Sequence, residues 1–147
     1  MAKSFFLALA FCLSAIVSSA QIREVPEAVK TAFTAQYPGA EQVDYDDILT
    51  SIHVSFVLNG EKMIARYTNK GAWKETEREW SFDKVPTDVR DGFEKSKYAD
   101  WEVKETAIVS YPKGAERYRL KIEKGELNKK YLFFNQNGRL IRDARTL

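Results

Sequence analysis

The sequence predicts an α+β domain in which two amphipathic helices cover one face of an antiparallel sheet and leave the other face open to solvent. Three observations predict this fold: a helical pattern occurs twice, each copy is followed by segments of alternating polarity, and the copies are sixty residues apart. The composition, 44% hydrophobic and 30% charged over 147 residues, is that of one globular domain. A formal net charge of only +2 disfavours nucleic acid as a partner.

The first twenty residues have the pattern of a secretory signal peptide. A basic start precedes the apolar run Phe5 to Val17, and small residues lead up to Ala20 and Gln21. The run has about 13 residues, fewer than the roughly 20 that a membrane-spanning helix needs. We therefore expect cleavage near Ala20, a periplasmic or secreted mature chain that begins at Gln21, and no transmembrane segment within it.

The only cysteine, Cys12, lies inside this predicted signal. A lipoprotein in which Cys12 becomes the acylated first residue is the alternative, but Phe11 precedes it where a small residue is needed, and the apolar run continues past it to Val17. Once Cys12 is removed, disulfides, thiolate metal sites and cysteine nucleophiles are excluded from the mature chain.

The helical pattern begins both times with Val-Pro. In the first copy, apolar residues recur at the spacing of one helical face; they are Val29, Ala32, Phe33 and Tyr37. In the second copy, Val89 and Phe93 occur sixty residues after Val29 and Phe33. This repetition predicts one domain, residues 21–147, made of two repeats at about 25–82 and 85–146.

Strand patterns follow each helix. In the first copy, Asn59-Gly60 is a strong signal for a two-residue hairpin, and it pairs the flanking residues so that one face is apolar. The predicted pairs on that face are Ile52 with Tyr67, Val54 with Ala65, and Phe56 with Met63. The second copy is less regular: Tyr118, Leu120 and Ile122 alternate with Arg117, Arg119 and Lys121, and Gly125 replaces Gly60. Each repeat therefore reads as one helix and four strands, α-β-β-β-β.

Several short motifs resemble those of a known family. The chain combines an export signal and a Val-Pro helix that ends in Tyr-Pro-Gly-Ala at Tyr37–Ala40 with the turns at Asn59-Gly60 and Gly71-Ala72-Trp73, in a tandem arrangement. In this it resembles the bacterial PepSY-like proteins described as beta-lactamase-inhibitor-like. The second copy departs from the pattern, because Lys97-Tyr98-Ala99-Asp100 replaces Tyr-Pro-Gly-Ala.

The resemblance implies a periplasmic or secreted protein whose concave sheet face binds another protein, as lactamase inhibitors of that fold do. It transfers no functional residue, because the shared positions are turns and core.

Catalytic and metal chemistry find little support in the sequence. The sole histidine, His53, lies in a regular strand pattern without a nucleophile elbow. Two acidic groups have residue types that could coordinate calcium or act as paired acids; they are Asp44, Asp46 and Asp47, and Glu75, Glu77 and Glu79. The first group lacks a calcium-loop pattern, and the second is typical of an exposed strand that avoids pairing with other chains. We expect no catalytic residue, no metal and no cofactor, since no phosphate-binding glycine loop is present.

Aromatic residues on or near the strands are the candidates for recognition; they are Trp73, Trp80, Trp101, Tyr45, Tyr111 and Phe134. The preferred hypothesis is a non-enzymatic exported domain that binds an envelope protein or peptide through its open face. A carbohydrate-binding envelope module and a weak hydrolase or lyase using acidic residues are the alternatives. The sequence leaves the partner and the oligomeric state open.

The candidate binding surface follows from the predicted hairpin register. It consists of His53, Ser55, Ile64, Arg66, Trp73 and Glu75. A two-residue turn at Lys70-Gly71 pairs Arg66 with Glu75 and places Trp73 on this surface. A three-residue turn that includes Asn69 moves Trp73 to the opposite face, where it aligns with Tyr67 in the core.

Overall fold

The structure is a computed structural model that describes residues 24–146. The predicted signal peptide at 1–20, its Cys12 and the expected new N-terminus at Gln21 all lie outside the described residues.

Each half of the described chain contains one α-helix followed by four strands. The first half has α1 (Glu27–Gln36), β1 (Glu41–Ile48), β2 (Ser51–Leu58), β3 (Glu61–Tyr67) and β4 (Trp73–Trp80). The second half has α2 (Thr87–Glu94), β5 (Glu102–Ser110), β6 (Glu116–Lys124), β7 (Asn128–Phe134) and β8 (Leu140–Arg145). Short 3₁₀ turns occur at Phe82–Lys84 and Pro112–Gly114.

The eight strands form one sheet in chain order, and every neighbouring pair is antiparallel. The register between β2 and β3 is the predicted one, with Ile52 opposite Tyr67 and Phe56 opposite Met63. The turn residues Asn59 and Gly60 have φ of 52° and 81°, as a two-residue hairpin of this hand requires. The α+β fold with an open antiparallel sheet is thus confirmed.

Both helices lie on the same face of the sheet, which we call the covered face. Val29 and Phe33 of α1 pack on a cluster that includes Ile52, Val54 and Tyr67. In the second half, α2 packs on another cluster, which consists of Val85, Val89, Phe93, Tyr98, Leu120, Ile122, Leu132 and Phe134. Each half therefore buries its own apolar core between one helix and its strands. No helix in residues 24–146 is long and apolar enough to span a membrane.

The backbone of two turns packs closely against a helix. The turn before β4 places Gly71 at φ 82°, and a Cβ there would lie 2.6 Å from the carbonyl oxygen of Ala28. The turn before β8 places Gly138 at φ 73°, and a Cβ there would lie 1.9 Å from the carbonyl oxygen of Asp88. Glycine is required at both positions because the left-handed conformation and the close approach each exclude a side chain.

Strand β4 is central in the sheet, between β3 and β5. The expectation that its glutamates protect an exposed strand from pairing is therefore wrong. The sheet edges are β1 and β8 instead, and each has a register shift, between Glu41 and Asp44 in β1 and opposite Phe133 and Phe134 in β8.

Candidate functional site: the open sheet face

The face of the sheet opposite the helices carries the side chains that alternate with the core residues, and we call it the open face. On it, His53 lies opposite Arg66, Arg66 opposite Glu75, and Ser55 opposite Ile64. Five of the six predicted surface residues therefore lie side by side on three adjacent strands. Glu77 lies between Ile64 and Val109 and continues the same surface into the second half.

Trp73 is the exception, and its predicted place on this surface is corrected. Arg66 does pair with Glu75, but a bulge follows immediately and brings Trp73 opposite Tyr67. The extra residue reverses the direction of the side chain. Trp73 thus packs against the core under α1, where its indole Nε1 donates to Thr76 Oγ1 at 2.9 Å.

An ion-pair network joins the two halves across the open face. Arg66 Nη1 lies 2.6 Å from Glu75 Oε1 and 3.4 Å from Glu77 Oε2. On the other side of Glu77, Arg119 Nη2 lies 2.5 Å from Oε1. Glu77 and Arg119 are only 12% and 13% exposed, so solvent screens their pair far less than a pair at the surface.

Three arginines of the second half stack on aromatic rings. The guanidinium carbon lies 5.0 Å from the ring centroid in the pair Arg117 with Tyr111, 4.6 Å in Arg119 with Tyr131, and 4.2 Å in Arg142 with Phe133. Stacking holds the planar guanidinium flat and leaves donors at its rim directed sideways. Such groups bind carboxylates through two parallel hydrogen bonds at little cost in conformational entropy.

His53 lies among charged groups at the first-half end of this surface. Partial burial and the positive charge of Arg66 lower its pKa, and Asp46, Glu75 and Glu77 oppose this shift. His53 therefore favours the neutral form near pH 7, in which one ring nitrogen donates and the other accepts a hydrogen bond.

The charges on the open face differ between the halves. In the first half, acidic residues predominate; Asp44, Asp46, Glu75, Glu77 and Glu79 occur with Lys62 and Arg66. In the second half, basic residues predominate; Arg117, Arg119, Lys121, Lys129 and Arg142 occur with Glu102, Glu105 and Glu123. The open face is therefore acidic at β1, mixed across the central strands and basic at β8.

The two acidic groups singled out in the sequence are divided by this geometry. Asp44 and Asp46 lie on the open face, whereas Asp47 points to the covered face opposite Ile52. Glu75 and Glu77 are engaged by arginines. In residues 24–146, no three side chains of His, Cys, Asp or Glu form a group that could hold a metal ion.

A groove of about 820 Å³ opens at the end of the β3–β4 ladder where Met63 lies opposite Arg78. Its lining combines apolar residues with charged residues of the open face, among them Ile64, Glu77 and Arg119. Trp80 also lines it, and its buried indole Nε1 has no hydrogen-bond partner among residues 24–146. The groove thus combines apolar and charged lining at the junction of the two halves.

All three tryptophans belong to the covered side. Trp73 packs against the first-half core, and Trp80 and Trp101 pack against the second-half core. Of the other aromatic candidates, Tyr45 and Phe134 also belong to these cores. Only Tyr111 lies on the open face.

Sequence reasoning missed Tyr131, Phe133 and Arg142 as parts of this surface. The alternation of Arg117, Arg119 and Lys121 was visible, but it did not show that Arg119 pairs with Glu77 of the other half. That contact depends on the pairing of β4 with β5, which brings together residues 42 positions apart.

A family model matches the chain in two segments, residues 16–58 and 50–142, and its description reads "Putative beta-lactamase-inhibitor-like, PepSY-like". The chain belongs to this PepSY-like family. No curated protein matches the chain. The family resemblance predicted from the motifs is confirmed.

Solved structures from Bacteroides species share the fold of this PepSY-like chain. A BLIP-like protein from Bacteroides fragilis has a TM-score of 0.74 and 22% identity, over 86% of this chain and 89% of its own. A DUF2874 family protein from Bacteroides uniformis has a TM-score of 0.74 and 23% identity, over 83% and 90%. A protein from Bacteroides eggerthii, described as one of the "putative periplasmic proteins", has a TM-score of 0.73 and 22% identity, over 84% and 90%.

Proposed function

We propose that this PepSY-like chain is an exported, non-enzymatic binding domain whose open face engages a protein or peptide. The observation that carries the proposal is the set of stacked arginines and ion-paired glutamates on the sheet face opposite α1 and α2. Rings and arginines are the residue types that dominate protein interfaces.

The comparisons support the same class of function. The family is described as beta-lactamase-inhibitor-like, and one solved structure of this fold is named BLIP-like. The name of the Bacteroides eggerthii protein supports a periplasmic location, in agreement with the predicted cleavage near Ala20. The tandem α-β-β-β-β organisation supports a domain that arose by duplication, with repeats at about 25–82 and 85–146.

The charged residues of the open face indicate which groups the partner carries. Arg117 and Arg142 both act on the ionisation of Tyr111, whose pKa burial and the nearby Glu75 raise. Because these two arginines lie close to one ring, they form a basic site suited to carboxylates of the partner. Glu75 acts on the same ring and is paired with Arg66, so groups of both signs meet here and a partner with charges of both signs suits this surface.

A sugar-binding function has less support because stacking on sugars uses exposed rings, and the tryptophans pack against the cores. Acid catalysis has less support because arginine side chains already occupy the carboxylates of Glu75 and Glu77.

The proposal is tested by site-directed photo-crosslinking in envelope extract of the native host. A photoreactive residue is placed at the exposed Ser55 on the open face, and at the exposed Thr34 on α1 as the matched control. We expect a protein adduct of defined mass from position 55 only, and its yield should fall when Arg117 and Arg142 are replaced by alanine. Equal adducts at both positions, or none at position 55, would contradict the proposal.

A further inference from the structure

The two edges of the sheet have opposite charge. Strand β1 contains four acidic residues and no basic one; they are Glu41, Asp44, Asp46 and Asp47. At the other edge, Arg139, Arg142 and Arg145 lie on or beside β8. The single acidic residue of β8, Asp143, accepts a hydrogen bond from Tyr98 and lies 3.3 Å from the Nζ of Lys130. Its negative charge is therefore paired within the same chain.

The edges also expose apolar side chains. Among residues 24–146, five large hydrophobic residues are exposed, and four of them are at these edges; they are Val43 (38% exposed), Ile48 (45%), Leu49 (83%) and Ile141 (43%). Exposed apolar residues beside unpaired strand groups favour pairing with another strand. Like charges prevent β1 from pairing with another β1, and β8 with another β8, but neither edge is protected against the other.

The strand order allows the two edges to meet. Because all eight strands alternate in direction, β1 and β8 run antiparallel to each other. A second copy placed beside the first in the same orientation therefore presents its β1 antiparallel to β8 and continues the sheet. The helices stay on one face in this arrangement, and the contact shares Arg142 with the proposed binding surface.

The backbone of β8 has a hydrogen-bond donor directed outward. Thr146 N donates to Lys129 O at 3.3 Å across the ladder to β7, next to the pair of Lys130 with Arg145. Because the direction of N–H groups alternates along an antiparallel strand, the N–H of Arg145 points away from β7.

The bulges limit the accessible edges to short runs, Asp44–Ile48 and Arg142–Arg145.

We propose that a second copy of this chain docks edge to edge, with β8 of one copy pairing with β1 of the next. The interface is heterologous, so assembly is head to tail and not limited to a dimer. Because the paired edge strands are short and form few cross-strand ion pairs, we expect weak association that depends on protein concentration. Salt screens the ion pairs and weakens it further.

Sedimentation velocity of the purified protein at low ionic strength tests this contact. We expect the mean mass to rise with protein concentration and to return to that of the monomer at high salt. Two double variants each reverse the charge of one edge. Asp44→Lys with Asp46→Lys makes β1 basic, and Arg142→Glu with Arg145→Glu makes β8 acidic. Each alone should stay monomeric, and an equimolar mixture of the two should associate again, because the reversed edges complement one another.

A backbone control separates edge pairing from a purely electrostatic contact of the faces. Arg145→Pro and Arg145→Ala both remove the charge, but only proline also removes the outward N–H. Proline should weaken association more than alanine, with the circular dichroism spectrum unchanged. A monomeric wild type at every concentration, a mixture that fails to associate, or equal effects of proline and alanine would overturn the proposal.

Discussion

The two halves of the molecule share one backbone plan but fill it with different side chains. The pair of Ile52 with Tyr67 in the first half corresponds to Tyr118 with Phe134 in the second, and a bulge lies beside each. In the first core, Phe33 has four rings within 6.5 Å between centroids; they belong to Tyr37, Tyr45, Phe56 and Tyr67.

In the second core, the one ring pair that Phe93 forms within residues 24–146 is with Phe82, at 6.3 Å between centroids, although its cluster also contains the rings of Tyr98 and Phe134. The difference teaches that register, bulges and turn glycines define the fold of each half. Core composition can vary as long as the volume between helix and sheet is filled.

Replacing the central phenylalanine of each core is the strongest way to test this equivalence. Phe33→Ala and Phe93→Ala should each cost about 3 to 5 kcal/mol of unfolding free energy, because both side chains are nearly fully buried. Phe33→Ala should cost more, by about 1 kcal/mol, because its ring pairs are also lost. Denaturant unfolding measures both, and a near-neutral result at either position would mean that the two sites are not equivalent.

The helices differ where each faces the turn before the last strand of its half. Gly92 of α2 occupies the position of Ala32 in α1, and a Cβ at Gly92 would lie 2.0 Å from the carbonyl oxygen of Gly138. Helix propensity alone makes Gly→Ala stabilising by about 1 kcal/mol. Gly92→Ala should instead destabilise the protein by about 2 kcal/mol, because the turn must move away. A higher melting temperature of this variant would contradict the close packing of α2.

The bulged hairpins place Trp73 and Leu140 at corresponding positions, opposite Tyr67 and Phe134. Because Trp73 is half-buried against the core and donates to Thr76, Trp73→Ala should cost about 2 kcal/mol. Trp73→Leu, which copies the second half, should cost about half as much. If Trp73→Ala leaves the melting temperature unchanged but prevents crosslinking from position 55, the side chain belongs to the binding surface after all.

Local sequence was sufficient to predict the β2–β3 hairpin, because the conformation that Asn59-Gly60 adopts leaves only one register in which Ile52, Val54 and Phe56 share a buried face. It was not sufficient at Trp73. The direction of that side chain depends on a bulge in a turn that packs on Ala28, a contact distant in sequence.

The residues of the candidate site were likewise predictable from local sequence only in part. His53, Ser55, Ile64 and Arg66 follow from one hairpin, whereas the pairing of Glu77 with Arg119 requires the order of strands at the junction of the halves. Periodicity assigns residues to a face of a strand, but it does not show which strand comes next.

The smallest expected effect concerns the open face, where His53 of β2 occupies the position that Arg119 has in β6. Burial and Arg66 lower the pKa of His53 below its usual value of about 6.5. As the sole histidine it gives one imidazole signal, so an NMR titration reads this pKa directly. Arg66→Gln should raise the pKa by removing a positive neighbour, and Asp46→Asn should lower it by removing a negative one.

The same shift sets a direction for stability. Because the folded pKa lies below the unfolded one, the unfolded chain binds more protons between the two values, and stability increases with pH through that window. Protonation of His53 therefore weakens the fold slightly as the pH falls below about 6.5. The difference between wild type and His53→Gln in melting temperature should change with pH only in this range. A pKa at or above the usual value in the wild type, or no response to Arg66→Gln, would mean that Arg66 does not act on His53 and that the two do not share one surface.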